Sequence, residues 1–274
     1  MDLGLSRRII AVILETVMAI STIVFLISVI MTFTAADKNY FINSFANQDL
    51  VQECNNQLNM KYEALASETN IPARVFERVE QDYPTDEALR QAALSVFSEE
   101  NETLYSENKI SYFYELSVEY LDGNEITYNE EDVKRSAEKA ARIYSDTVGL
   151  HNTGGIETKI NDFSRKYPRA TIISFVIAFV CFPSIMIMYK KKKEGYLVAI
   201  GGILTGTVAT ALGSLLAVIF KLGGGINILP EIHKQSMIST TTKDFLILAF
   251  LSAVLSAGTI SVMKLVDKKL PDED

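Results

Sequence analysis

Glu15 is the only acid inside any long apolar stretch of this chain, and the histidines number two, His151 and His233. A carboxyl at membrane depth is either drawn to the interface along its own stem or put to use. Glu15 sits about two helical turns beyond Arg8, shallow enough to snorkel or to pair with an arginine. The competing reading is a functional intramembrane acid facing Ser or Thr on neighbouring helices. His151 and His233 could bind a metal together with carboxylates, but they lack the paired spacing of zinc ligands. Solvated loop histidines are the better account, and no metal site is assigned. Cys54 and Cys181 are the only cysteines; one lies mid-span and one well outside any span, so no disulfide is expected between them. There is no Walker loop, no His-Glu-x-x-His helix and no Gly-x-Ser-x-Gly elbow. The chain is therefore read as a non-enzyme with no catalytic residue and no cofactor. Asn101-Glu102-Thr103 matches a glycosylation acceptor.

The elements that carry these residues follow from where the apolar residues fall. They gather in Ile9–Phe33, Ala170–Tyr189, Tyr196–Leu222 and Phe245–Leu265. A helix of about 20 residues crosses a bilayer core of about 30 Å. All four blocks reach that length, which predicts an all-α membrane protein with four transmembrane helices. Ile9–Phe33 exceeds the apolar region of a signal peptide, about 7–15 residues, so an uncleaved anchor is expected despite Thr34-Ala35-Ala36. Segments 1–8, 9–36, 37–169, 170–189, 190–195, 196–222, 223–243, 244–265 and 266–274 then alternate between tails or loops and spans. The long 37–169 segment is a helical domain inserted between the first and second spans.

Lysine and arginine set the expected orientation. Arg7 and Arg8 precede the first span, Lys190, Lys191, Lys192 and Lys193 fill the turn between the second and third, and Lys264, Lys268 and Lys269 end the fourth. Positive residues stay in the cytoplasm, which predicts cytoplasmic N- and C-termini, a plasma-membrane location and an extracytoplasmic 37–169 domain. The lysine block could alternatively bind anionic lipid; topology retention is the simpler account. With no Trp in the chain, tyrosines such as Tyr189 and Tyr196 must serve as interfacial anchors.

The 37–169 segment holds 25 acidic and 14 basic residues, a charge of −11 against −8 for the whole chain. Such acidity argues against nucleic acid and anionic lipid as its partners. Helix signals dominate it. Tyr40–Ser67 reads as a helix continuing from the first span, and Pro72 opens a helix over Ala73–Gln81. Thr85 reads as the cap of the next helix, with Leu89, Ala92, Ala93 and Phe97 on its inner face. Asn129 caps the clearest helix, with three acids in its first turn and Gly149 as its stop. Residues 110–121 satisfy both a strand alternation and a helical face; lacking a partner strand, they are assigned to helix.

Gly202, Gly206, Ala209 and Gly213 share one face of the third span, and Ser252, Ser256 and Thr259 repeat that spacing on the fourth. Small residues let membrane helices approach closely, so these two spans are expected to pack together, with homo-oligomerisation the lesser alternative. Pro183 is expected to kink the second span or to loosen one of its backbone hydrogen bonds. The mass distribution favours a binding or sensing module: the outer domain engages a protein or peptide, and the four-helix base anchors it or transmits the change. A subunit of an oligomeric channel or transporter gated by that domain is the alternative. In arrangement alone, the chain also resembles the permease-like ABC partners of the cell-division and macrolide-efflux type. That resemblance implies a cytoplasmic coupling helix, for which Lys190–Gly195 leaves little room.

Overall fold

The computed structural model describes residues 3–45, 47–97, 107–150, 155–189, 191–220 and 231–270, with side chains at all of these except 3–5, 107 and 231–237. Every regular element among them is a helix. In order they are α1 (Leu3–Phe33), α2 (Lys38–Phe45), α3 (Gln48–Glu68), α4 (Ala73–Glu77), α5 (Val79–Asp82), α6 (Thr85–Ser95), α7 (Glu107–Gly123), α8 (Glu130–Val148), α9 (Ile156–Met188), α10 (Lys192–Ile219) and α11 (Glu231–Lys269). The ambiguous 110–121 stretch lies within α7. Phe113, Leu116, Ser117 and Leu121 are its buried residues, a spacing of three to four that a strand could not bury on one side.

The chain divides into two compact units. One gathers Met1–Lys38, Thr158–Gly225 and Ile238–Asp274, the other Asn39–Glu157 with Ile226–Met237. In the first unit four helices are long and apolar enough to cross a membrane: Ser6–Phe33, Ile156–Met188, Lys192–Ile219 and Ile238–Lys269. Their outward surfaces are apolar, with Ile172, Phe175, Phe179, Ile187, Ile219 and Phe250 all more than half exposed. Water does not tolerate a continuous apolar exterior of this kind, and lipid does.

Side-chain contacts fix how the four helices run. Met18 of α1 packs with Cys181 and Ile185 of α9 and Ala199 of α10, while Phe25 of α1 meets Phe175 of α9 at 6.1 Å. Rising along α1 thus means falling along α9, and the pair is antiparallel. Glu15 and Met18 lie beside Gly202, whereas Ala19 and Thr22 lie beside Gly206, so α1 and α10 run parallel. Ser256 of α11 bonds Thr207 of α10, and Asp267 pairs with Lys193 at 3.0 Å, making α10 and α11 antiparallel. An alternating up-down bundle follows. The start of α1, the α9–α10 turn and the end of α11 share one end of it.

Several boundaries differ from the sequence expectation. A turn at Thr34–Ala36, closed by Asp37 N–H to Thr34 O at 2.9 Å, separates α1 from α2. Asn47 then caps α3 by accepting from Leu50 N–H at 2.9 Å, so the helix expected to continue from the first span is interrupted twice. Residues 73–82 break into two short helices at Arg78. Thr85 opens α6 behind Pro84 rather than capping it, and its hydroxyl bonds Asn55 Oδ1 instead. The helix α9 runs without interruption past Pro168 and Pro183, and α11 begins well before its apolar part, at Glu231. Each proline there removes one backbone donor without ending the helix, consistent with tolerance of proline in membrane helices whose neighbours supply the packing.

The second unit builds its core from helices α3, α4, α6, α7 and α8. Tyr62, Phe76 and Phe113 form a fully buried aromatic triangle with centroids 5.8, 6.1 and 6.3 Å apart. The face Val133, Ala137, Ala140, Ala141 and Tyr144 of α8 closes over it, buried as its periodicity predicts. Asn129 Oδ1 accepts from Glu131 N–H at 3.0 Å, and Gly149 ends the helix by donating to Ser145 O at 2.7 Å. Among the described residues of this unit, Met60 and Leu94 are the exposed large hydrophobics.

Candidate functional site

A polar constellation lies where α7 and α8 meet the α5–α6 connection. Lys109 is only 8 % exposed, and its Nζ stands 5.3 Å from the Tyr83 ring centroid and 5.2 Å from that of Tyr144. An ammonium between two aromatic faces is held by their quadrupoles, worth about 2 kcal/mol when desolvated. Tyr144 donates its hydroxyl to Tyr83 O at 3.0 Å. Tyr112 donates to Asp82 Oδ2 at 2.6 Å, and its ring meets Tyr83 edge-on at 5.2 Å. This cluster clamps three segments together. The sequence offered no sign of it beyond an unusual density of tyrosine.

Two groups in the same core are chemically quiet. Burial pushes the Cys54 thiol up to about 12, leaving almost no thiolate at neutral pH. Its Sγ lies 3.8 Å from Thr147 O. Cys181 is buried and free as well. Folded wild-type protein should therefore resist an impermeant maleimide for hours and react stoichiometrically once denatured; rapid native labelling at Cys54 would contradict the packing. The Tyr62 hydroxyl is 0 % exposed and has no hydrogen-bond partner among the described residues. An unpaired buried hydroxyl costs about 1–3 kcal/mol. Tyr62→Phe removes it without changing the ring, so thermal unfolding should shift upward, by about 1 kcal/mol in stability.

Within the helical bundle, Gly202 and Gly206 are buried against α1 rather than α11, correcting the expected partner. A Cβ built at Gly202 would lie 2.8 Å from Met18 Cε and 3.1 Å from Glu15 O; at Gly206 it would lie 2.6 Å from Thr22 Cβ and 2.7 Å from Ala19 O. Ala209 is exposed, and a Cβ at Gly213 would meet nothing within 4 Å, so this half of the stripe makes no helix contact. The face that α10 presents to α11 is instead hydroxylated. Thr207, Thr210 and Ser214 are buried, and Ser256 donates to Thr207 Oγ1 at 2.8 Å. Thr210 and Ser214 bond carbonyls of their own helix, as does half-buried Thr259, so their hydroxyls are spent locally. Ser252 is fully buried, and its Oγ has no hydrogen-bond partner among the described residues.

Glu15 faces the glycines of α10: a Cβ at Gly201 would stand 3.4 Å from its Oε1. It has no ion pair among the described residues, and together with Arg8 and Glu194 it lies within electrostatic reach of Tyr189. Lys193 pairs with Asp267; Lys191 and Lys192 lie beside it at the start of α10, and Arg7 and Arg8 are exposed on α1. Lys190, His151 and the Asn101–Thr103 acceptor fall outside the described residues, as does the His233 side chain. Among the described residues no group of three or more His, Cys, Asp or Glu could hold a metal. Set against family models, characterised proteins and solved structures, the chain matches none.

Proposed function

We propose that this chain is a four-span membrane protein whose inserted helical unit binds a protein or peptide partner outside the cytoplasm. The helical base serves as its anchor or passes the binding event to another membrane protein. One observation carries the reading: Asn39–Glu157 packs a core of its own inside a segment charged −11. A self-sufficient, strongly acidic domain steers basic partners towards itself. Orientation rests on the basic residues gathered at one end of the bundle, the cytoplasmic end by the positive-inside tendency. The turn from Tyr189 to Lys191 leaves no length for a coupling helix, which weighs against the permease-like alternative. A channel or transporter subunit is supported only by the buried hydroxyls between α10 and α11, and absence of flux from liposomes carrying the protein, with Glu15→Gln as comparison, would remove it.

Photo-crosslinking residues at exposed Glu63, Asp86 and Glu131 in native membranes should capture a discrete adduct that weakens with added salt. No adduct from any position, with monomeric protein after extraction, would overturn the binding reading. Orientation is tested separately. Because Cys54 and Cys181 are buried, Ser67→Cys and Lys192→Cys can be compared directly in intact cells: impermeant maleimide should label the first and spare the second.

A further inference from the structure

We infer that the basic end of the bundle is a binding site for an anionic diacyl phospholipid, with the phosphate among the lysines and the acyl chains along the adjoining apolar surface. Contacts join its three segments. Leu14 of α1 and Tyr189 pack against the Met18–Ile185 cluster that joins α1 to α9, Gly195 lies against Met186 and Tyr189, and Lys193 pairs with Asp267. Lys264 and Lys268 stand three and one residues from Asp267 on α11, and positions three and four apart share a helix face. Asp267 is thus committed to the half-buried Lys193. By contrast Arg7, Arg8, Lys192, Lys264, Lys268 and Lys269 are exposed and form no ion pair among the described residues. Among the described residues the acids nearby are Glu15, Glu194 and Asp267; counted on the sequence with both tails, the nine Lys and Arg of this end face seven acids, these three with Asp2, Asp272, Glu273 and Asp274, an excess of two positive charges.

What singles out a lipid from a soluble anion is the apolar surface interleaved with these charges. Ile9 and Ile10 follow Arg8 directly, Ile187 stands two residues before Tyr189, and Leu265 follows Lys264; these are 52 %, 43 %, 79 % and 54 % exposed. Charge and exposed hydrocarbon side by side match a headgroup joined to its chains. Each lysine near an anionic surface contributes about 1 kcal/mol, roughly fivefold in affinity. The inference requires only that the bundle sit in a bilayer, not the partner-binding role proposed above.

Native mass spectrometry of the full-length protein in detergent, titrated with phosphatidylglycerol and with phosphatidylcholine, tests it. Several-fold preference for phosphatidylglycerol is expected at low salt, falling as salt is raised. Lys264→Gln/Lys268→Gln/Lys269→Gln should lose most of that preference and bind phosphatidylcholine as before; Lys159→Gln/Lys166→Gln, on the start of α9, should keep it. Inorganic phosphate and deacylated glycerophosphoglycerol should not compete at matched concentration. Equal binding of the two lipids by the wild type overturns the site whatever the variants do. Competition by inorganic phosphate would replace it with a free-anion site, and a preference untouched by the triple variant would place the lipid elsewhere.

Discussion

Replacing Gly206 by alanine is expected to destabilise the helical bundle by about 2–3 kcal/mol, the cost of overpacking a well-filled interface. The added methyl would stand 2.6 Å from Thr22 Cβ and 2.7 Å from Ala19 O. A side chain can rotate aside, but a backbone carbonyl of α1 moves only if the helix moves. Thr22 is also constrained, its hydroxyl being bonded to Met18 O at 2.9 Å. Alanine is the better helix former by about 1 kcal/mol, so the clash must outweigh that gain for the sign to hold. Gly213→Ala is the control, because its methyl meets nothing within 4 Å. It should be neutral or slightly stabilising. Thermal unfolding of both variants in the same detergent decides the matter: equal midpoints would mean that α1 does not lie on the Gly202–Gly206 face.

Phe113→Ala should cost the second unit about 3–5 kcal/mol, the usual penalty for emptying a large buried aromatic site. Phe113 is fully buried and touches both other rings of the triangle, so truncation leaves Tyr62 and Phe76 facing a void. Stability of a domain is commonly 5–15 kcal/mol, and a loss of this size approaches unfolding. Limited proteolysis of membranes carrying the variant should cut within 39–157 at protease concentrations that spare the wild type. Tyr62→Phe in the same triangle should move resistance the opposite way. Two substitutions in ring contact with opposite signs are a stringent check on which atoms are satisfied and which are not.

The spans and most helices were legible because their signals are local. A run of apolar residues long enough to cross a bilayer declares itself, and so do Asn129 with the acids behind it and the spacing of Val133, Ala137 and Tyr144. Periodicity also settles which face of a helix is special. It cannot say which neighbour that face meets: spacing alone directs Gly202 and Gly206 at α11, while they pack on α1. The same limit hid the partnership of Lys193 with Asp267 and of Lys109 with Tyr83 and Tyr144. Those contacts join residues distant in sequence, and no spacing rule encodes them. The break between α1 and α2 is silent in the sequence for another reason: Thr34–Ala36 contains neither Gly nor Pro, the usual marks of a turn.

The parallel pairing of α1 with α10 bears on how the protein is made. From Phe33 to Lys192 the ribosome adds roughly 160 residues, which at about 5–20 residues per second takes roughly ten to thirty seconds. During that interval the helix that packs against Glu15, Met18 and Thr22 has not been synthesised. The nascent first helix therefore spends the translation of an entire domain without the glycine face of α10 that packs on Glu15, Met18 and Thr22.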